Sequence, residues 1–256
     1  MHERLSLIKI APQRVLDLGC GEGADLPLLQ QRFGSASMIG LDAAAPMLAL
    51  QQGASWQRWL NKLRGQQASL VAANFAQLPI AAASCDVLWS NLALHWHPQP
   101  DLVLAEWLRV LRLHGLLMFS CFGPDTFLQL RAAMQQIGMD QSVLPFVDLH
   151  DFGDMLVNAG YATPVMDMEA ITVTYPTMEK MLADVRAFGG NPLLTRQKMR
   201  RGRSVWQQLR AALEAQRTAD GRLPLRFEII YGHAFKPIQK TPGEAVIRFD
   251  WPRKSG

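Results

Sequence analysis

The stretch "VLDLGCGEGADLPLLQQRF", residues 15–33, decides the fold class. A short apolar run leads into a glycine-rich turn and then into a segment with leucines at helical spacing, which predicts a buried strand, a tight turn and a helix. This arrangement is typical of α/β folds that bind a nucleotide-like cofactor at the carboxyl ends of their strands. Because Gly19, Gly21 and Ala24 also satisfy the dinucleotide pattern G-x-G-x-x-G/A, the glycines alone leave the cofactor open.

The first half of the chain repeats this alternation of strand and helix. Its strands are continuously apolar, which indicates a parallel sheet that is covered on both faces. We expect five strands, at "RVLDLG", "SMIGLD", "SLVAAN", "CDVLWS" and "GLLMFSCF". Helices are expected over 24–33, 46–63 and "DLVLAEWLRVL", and Gly115 is predicted to cap the last of them.

After the fifth predicted strand, the regular alternation of strand and helix ends. Helical segments begin at Pro124 and include a basic stretch over about 177–220, and "LRFEIIYGHAFKP" is a strand long enough to return into the sheet. We predict one domain over 1–256 with a Rossmann-like α/β fold. It has a mostly parallel seven-stranded sheet, helices on both faces and a helical lid inserted before the last strand. Residues 1–121 form the cofactor-binding half, and 122–240 form the substrate and lid half.

Composition narrows the class of protein. The 256 residues are 49% apolar and 19% charged, as in ordinary globular domains. No apolar run approaches the roughly 20 residues that a membrane-spanning helix needs, and the charged start is unlike a secretory signal. Cys20, Cys85 and Cys121 are scattered, without a C-x-x-C pair, so we expect reduced thiols and a cytoplasmic protein.

Positive charge is concentrated in one segment. The net charge is +4, and 186–226 holds ten Arg or Lys residues against only Glu214 and Asp220. Such a segment favours an acidic partner, with a solvated helix face as the plainer alternative. Nucleic acid is not favoured, because neither interleaved aromatic residues nor a known RNA-binding motif accompanies the charge.

Two carboxylates distinguish between the possible cofactors. Asp17 stands two positions before Gly19 at the end of the first strand, where its charge would repel a pyrophosphate. S-adenosylmethionine carries an ammonium and a sulfonium instead, so the same carboxylate favours it. Gly19, Gly21 and Gly23 let the backbone approach this ligand closely, and Asp42 ends the second strand, where it is placed to accept both ribose hydroxyls. The sequence therefore predicts S-adenosylmethionine.

The motif D-x-G-x-G-x-G with its strand-end acid resembles the class I S-adenosylmethionine-dependent methyltransferases, in their type 11 branch. That family usually has an Asp that accepts the adenine amino group before "L-P", and here "ANFAQLP" places Asn74 there. The resemblance implies that Asn74 accepts from adenine and that Phe75 packs against it, unless Phe75 is a core residue. Ala43 and Asn91 complete the predicted cofactor site.

Further segments narrow the resemblance. "SNLALHWHPQP" (90–100) and "GRLPLRFEIIYGHAFKP" (221–237) resemble both the malonyl-acyl-carrier-protein O-methyltransferases of biotin synthesis and a related mitochondrial complex I assembly factor, which acts on arginine. "FGPDTFLQLR" (122–131) looks more like the second group. Relatives of this kind usually carry more helix before the first strand to cover the cofactor, so here that cover is expected from elsewhere.

The first group implies methyl esterification of the free carboxylate of malonyl-acyl carrier protein. A carboxylate is already ionised at pH 7, so no general base is needed. Arg131 is the candidate to select this carboxylate through its two-pronged guanidinium, while His95 and Trp96 line the same opening. No metal is predicted, because His95 and His97 have no third ligand nearby in sequence. The acidic carrier protein is expected to dock on 186–226.

Two other functions stay open at this point. One is hydroxylation or methylation of a protein arginine during assembly of a respiratory complex. The other is a non-catalytic assembly factor that binds S-adenosylmethionine without turning it over.

Overall fold

The computed structural model describes residues 1–50, 68–139, 145–188 and 202–238. Their centre is a seven-stranded sheet of order β3-β2-β1-β4-β5-β7-β6, in which β7 runs in the opposite direction to the other six strands. The strands are β1 Arg14–Leu18, β2 Ser37–Asp42, β3 Ser69–Ala72, β4 Cys85–Asn91, β5 Leu111–Phe122, β6 Ala162–Tyr175 and β7 Leu223–Phe235. The predicted fold class, with its mostly parallel seven-stranded sheet, is confirmed.

Helices connect these strands. They are α1 His2–Ser6, α2 Leu26–Phe33, α3 Ala45–Leu50, α4 Pro100–Val110, α5 Leu128–Gln136, α6 Leu149–Ala159, α7 Met178–Ala187 and α8 Arg203–Glu214. Local chemistry sets several boundaries: Asp148 accepts the His150 N–H at the start of α6, and Gly160 ends it with a φ of +95°. No helix in the described ranges is long and apolar enough to cross a membrane.

Alternate side chains of the central strands enter different cores because a strand has a period of two. Leu16 and Leu88 pack in the cluster that includes Trp107 of α4, whereas Val15 and Val87 pack on the opposite face with α1 and α2. A third cluster joins β7 to α5, α7 and α8. Burial on both faces explains why these strands are apolar without alternation.

Two predicted helix boundaries are wrong. Helix α4 ends at Val110 rather than at Gly115, which lies within β5. A Cβ on Gly115 would lie 2.9 Å from the Arg112 oxygen, so close packing and not capping explains this glycine. The helix expected from Pro124 begins at Leu128, because the preceding residues form a turn.

Helices α7 and α8 lie between β6 and β7, where a helical insertion is predicted. Met178 and Met181 of α7 and Leu209 and Leu213 of α8 are buried in the cluster that includes α5 and β7. The intervening residues 189–201 lie outside the described part, as do residues 51–63 of the helix predicted over 46–63. The role of α7 and α8 as a lid stays a prediction, and so does the division into halves.

Candidate active site

The glycine-rich turn after β1 adopts a backbone that suits glycine. Gly19, Gly21 and Gly23 have φ values of +73°, +54° and +77°, a region that residues with side chains rarely adopt. A Cβ on Gly19 would also overlap the side chain of Ala93, which follows β4. The Gly19 N–H donates to the Leu41 oxygen at 2.7 Å, which ties the turn to β2. The turn is therefore held at the carboxyl edge of the sheet.

Asp17 is buried at the end of β1, and its Oδ2 has no hydrogen-bond partner among the described residues. Burial, together with the charges of Asp25 and Asp42, raises the pKa of Asp17 well above its ordinary value. A buried carboxylate without partners is costly in free energy, and a cation beside it removes that cost. This carboxylate fits the ammonium of S-adenosylmethionine and is unsuited to a phosphate.

Asp42 is held in a fixed orientation by the backbone. Its Oδ1 accepts the Ala44 N–H at 2.7 Å, and its Oδ2 accepts the Gly21 N–H at 2.8 Å. Each carboxylate oxygen can accept a second hydrogen bond, so both remain suited to the predicted contact with ribose hydroxyls. Ala43 lies exposed next to this carboxylate at the end of β2.

The predicted adenine contacts lie beyond β3. The Asn74 Oδ1 accepts the Ala76 N–H at 2.9 Å, so the predicted adenine acceptor already has a local partner. Phe75 is half-buried, and its Cδ1 lies 3.8 Å from where a Cβ on Gly19 would stand. Its ring also lies 6.0 Å from that of Trp107. Phe75 thus reaches both the glycine turn and the core, and its contact with adenine stays a prediction.

Asp25 is a polar residue of the site that the sequence analysis missed. Its Oδ2 accepts from Trp89 Nε1 at 3.0 Å and from Asn91 Nδ2 at 2.9 Å, and its Oδ1 contacts His2 Nε2 at 2.9 Å. Burial alone would raise the pKa of Asp25, but these three hydrogen bonds outweigh it and lower that pKa. An ionised carboxylate therefore lies close enough to Asp17 to influence its pKa.

Asn91 supports Asp25 in this arrangement. Besides its bond to Asp25, its Oδ1 accepts the Ser120 hydroxyl at 2.6 Å. Its amide is thus engaged by protein groups from two other segments, and its predicted contact with the cofactor stays a prediction.

His95 is buried in the short helical turn Leu94–Trp96 that follows β4. The Phe122 N–H donates to its Nδ1 at 3.3 Å, which leaves the proton of the neutral ring on Nε2. Within the described ranges Nε2 has no partner. Burial lowers the pKa of His95 to about 3, so at neutral pH the ring is an uncharged donor.

His95 and Arg131 both lie beside the aromatic ring of Phe146. The His95 ring lies 4.7 Å from the ring of Trp96 and 5.6 Å from that of Phe146. The guanidinium carbon of Arg131 lies 5.3 Å from the centre of the same Phe146 ring. Burial lowers the pKa of Arg131, and its Nε donates to the Thr126 oxygen at 3.0 Å. The two predicted acceptor residues therefore share one neighbour.

Several arginines of the basic segment 186–226 bond to other side chains of the fold. Four of its described arginines have side-chain partners: Arg210 with Glu179, Arg217 with Glu214, Arg222 with Thr174 and Arg226 with Asp125. Arg186 and Arg203 lie in α7 and α8, and the basic residues between them fall in the undescribed range 189–201. No group of three or more His, Cys, Asp or Glu residues that could hold a metal occurs in the described part of the chain.

Comparison with known proteins places this geometry in a family. A methyltransferase domain family matches residues 16–119. The malonyl-[acyl-carrier protein] O-methyltransferase of Laribacter hongkongensis is 45% identical, over 97% of this chain and 86% of its own length. The protein of that name from Methylovorus sp. is 43% identical, over 100% and 86% of the two chains.

The fold has solved counterparts as well. A Bacillus halodurans C-125 protein assigned as a methyltransferase superimposes with a TM-score of 0.64 at 16% identity, covering 92% of this chain and 97% of its own. Both curated relatives fall in the first of the two groups that the motifs resemble. The chain belongs to the family of the malonyl-[acyl-carrier protein] O-methyltransferases, and its cofactor is S-adenosylmethionine.

Proposed function

We propose that this chain transfers a methyl group from S-adenosylmethionine to the free carboxylate of malonyl-acyl carrier protein, a step of biotin synthesis. The products are the methyl ester and S-adenosylhomocysteine. The observation that carries the proposal is the pair of donors around Phe146, the neutral His95 Nε2–H and the guanidinium of Arg131. A carboxylate is the acceptor group that such a pair recognises best.

The chain's own residues contribute binding and orientation to this reaction. Bound S-adenosylmethionine supplies an electrophilic methyl group on a sulfonium. Asp17 and Asp42 hold the cofactor at the end of the sheet, and no residue has to remove a proton because the acceptor is already ionised. The remaining task is to hold the carboxylate oxygen in line with the methyl group and to exclude water. The aromatic rings around His95 provide an apolar wall for that purpose.

Arg131 and His95 also account for selection between acyl groups. A malonyl group ends in a carboxylate that accepts from both donors, whereas an acetyl group offers no carboxylate and leaves the buried His95 Nε2–H without an acceptor. Leaving a buried donor without an acceptor costs about 1–3 kcal/mol. Trp96 lies beside His95, and its ring adds to the apolar surroundings of that donor. The pH profile of kcat/KM should lack a limb from His95 near neutral pH, because its ring is already neutral there.

The carrier protein is the expected macromolecular partner. Acyl carrier proteins are acidic, so a basic rim steers their approach. In the described residues Arg186 and Arg203 are the candidates for this rim, while the arginines with partners inside the fold contribute less. The predicted docking on 186–226 and the cytoplasmic location remain part of this proposal.

The test is the initial rate of S-adenosylhomocysteine release with three acceptors. We expect turnover with malonyl-acyl carrier protein, none with acetyl-acyl carrier protein, and a higher KM with a malonyl thioester of pantetheine alone. Equal rates with malonyl and acetyl acceptors would contradict carboxyl methylation. Binding of S-adenosylmethionine without release on any acceptor would favour the non-catalytic assembly factor, and turnover on a respiratory-complex protein would favour arginine modification.

A further inference from the structure

The turn from Gly123 to Phe127 connects β5 to α5 and continues the pairing of β7 beyond the end of β5. The last residue pair between these strands joins Phe122 to Ile229. Beyond it, the Gly123 N–H donates to the Glu228 oxygen at 2.9 Å, and the Phe127 N–H donates to the Arg226 oxygen at 2.7 Å. The turn therefore takes the place of a strand along this part of β7.

Thr126 completes this replacement with its side chain. Its hydroxyl is fully buried, donates to the Glu228 oxygen at 3.0 Å and accepts the Glu228 N–H at 3.0 Å. A hydroxyl can donate and accept at once, so this one side chain bonds both backbone groups of Glu228. Removing the hydroxyl would take away the partner of the buried Glu228 N–H, whereas the Glu228 oxygen would keep its bond from the Gly123 N–H.

The turn is held in an uncommon conformation. Phe127 has a φ of +63°, and a residue with a side chain keeps such a φ only where its surroundings enforce it. The buried carboxylate of Glu228 adds to this restraint: its Oε2 accepts the Asp125 N–H at 3.1 Å. It also fills the space next to Gly123, where a Cβ would overlap its Oε1.

The carbonyl group of the same turn orients Arg131. The Thr126 oxygen accepts from the Arg131 Nε at 3.0 Å, and the Phe127 oxygen accepts from the Arg131 backbone N–H at 2.8 Å. A bond to Nε sets the plane of the guanidinium and hence the direction of its outer nitrogens. We infer that Thr126 is a positioning residue, whose hydroxyl anchors the turn to β7 so that its carbonyl aims Arg131 at the acceptor carboxylate.

This inference rests on the proposed role of Arg131 in acceptor binding, and its test separates the two. Thr126→Val keeps the shape of the side chain and removes the hydroxyl, whereas Thr126→Ser restores the hydroxyl. Tyr161→Phe is the matched control, because the Tyr161 hydroxyl is also buried and donates to a backbone oxygen, that of Leu104 at 2.9 Å, on a different core.

Two readouts are measured on the full chain. The first is the KM for malonyl-acyl carrier protein together with the Kd for S-adenosylmethionine. The second is the hydrogen-exchange rate of the Arg131 Nε–H by nitrogen-15 NMR, which needs no acceptor. We expect Thr126→Val to raise KM by about tenfold or more, to leave the cofactor Kd unchanged and to speed the Nε–H exchange. Thr126→Ser and Tyr161→Phe should match the parent chain in all three quantities.

A double-mutant cycle completes the test. If Thr126 acts through Arg131, Thr126→Val should raise KM no further in an Arg131→Ala background. An additive effect, an equal weakening of cofactor binding, or unchanged Nε–H exchange in Thr126→Val would overturn the inference. If the parent chain does not turn over malonyl-acyl carrier protein, the proposed function fails and the exchange rates alone decide. Faster exchange in Thr126→Val but not in Thr126→Ser supports positioning, and equal rates contradict it.

Discussion

The predicted cofactor side and the proposed acceptor side of the site are assembled differently. On the cofactor side, Asp17, the glycine turn and Asp42 come from consecutive strand ends, and backbone amides of the turn bond the Asp42 carboxylate and the Leu41 oxygen. On the acceptor side, His95 and Arg131 come from separate segments and meet only through Phe146 and the Thr126 turn. The first arrangement follows from local chain geometry, whereas the second depends on tertiary packing.

Because of this difference, we expect that substitutions can impair cofactor binding and acceptor use separately. A substitution in the glycine turn should weaken binding of the cofactor, and a substitution around Phe146 should impair use of the acceptor while the cofactor still binds. The aromatic cluster around Phe146 also explains why His95 is buried and Arg131 half-buried although both side chains are polar.

The largest effect on cofactor binding is expected for Gly19→Ala. The new Cβ would overlap Ala93 at a φ of +73°, so the turn must shift away from the cofactor. Overpacking and strain of this kind cost about 3 kcal/mol, or roughly 100-fold in affinity. Calorimetry with S-adenosylmethionine measures the loss of affinity.

Gly34→Ala is the control. Gly34 has a φ of +39° with open space around it, so this substitution introduces backbone strain without a steric overlap. Equal affinity in the Gly19 variant and the parent chain would contradict this geometry.

Arg131→Ala tests the acceptor side. Truncating one partner of a buried charged pair costs about 2–5 kcal/mol, which is at least roughly 30-fold in kcat/KM for malonyl-acyl carrier protein. The Kd for S-adenosylmethionine should stay unchanged, because Arg131 lies with the Phe146 wall and not with the glycine turn. Steady-state kinetics and calorimetry on one preparation separate the two quantities. If Arg131→Ala lowers both kcat/KM for malonyl-acyl carrier protein and the affinity for S-adenosylmethionine, the division into two sides is wrong.

Asp17→Asn should weaken cofactor binding and stabilise the cofactor-free protein. Loss of a charge-assisted hydrogen bond costs about 1–3 kcal/mol of binding free energy.

The folded state raises the pKa of Asp17 above the unfolded value of 3.8, so it binds this proton more tightly. That contribution to stability is present at low pH and is lost as pH rises from 3.8 through the raised pKa. The free energy of unfolding of Asp17→Asn should therefore exceed that of the parent chain by more at pH 8 than at pH 5. Denaturant titrations at the two pH values measure this difference.

The pH dependence of binding sharpens the same point. Since binding of a cation favours the ionised form of Asp17, affinity for S-adenosylmethionine should rise with pH in the parent chain and much less in Asp17→Asn. A parallel dependence in both proteins would show that Asp17 is not the group that titrates.

The smallest effect is expected at the rim. Arg186→Glu combined with Arg203→Glu should raise KM for the carrier protein at low salt, with an effect of about 1 kcal/mol or less that fades as salt increases. Arg222→Glu is unsuitable as a rim control, because Arg222 bonds the Thr174 side chain and backbone. A rise in KM that does not depend on salt would show that these two arginines are not part of the docking surface.

The sequence was sufficient to place the predicted cofactor residues in the fold because its signals are adjacent in the chain. The apolar run, the glycines and Asp17 lie within one strand and one turn, and the structure places them as expected. Asp25 could not be recognised in this way. The letters "DLP" before a leucine-rich segment predict a helix cap, and only the fold brings Trp89 and Asn91 to its carboxylate.

The acceptor side needed the fold for most of its detail. His95 and Arg131 were candidates from sequence, but the Phe122 N–H that fixes the His95 tautomer and the shared Phe146 ring are tertiary contacts. The misplaced boundary at Gly115 has a related cause. A glycine after a helical pattern usually indicates a cap, whereas close packing against Arg112 requires this one.

The most direct test of the central claim is mass spectrometry of malonyl-acyl carrier protein after incubation with the enzyme and S-adenosylmethionine that carries a deuterated methyl group. We predict one labelled methyl ester on the malonyl group with the parent chain. With Arg131→Ala the ester should be nearly absent, although calorimetry still detects cofactor binding. Label on the carrier protein itself, label on acetyl-acyl carrier protein, or full esterification by Arg131→Ala would contradict the account.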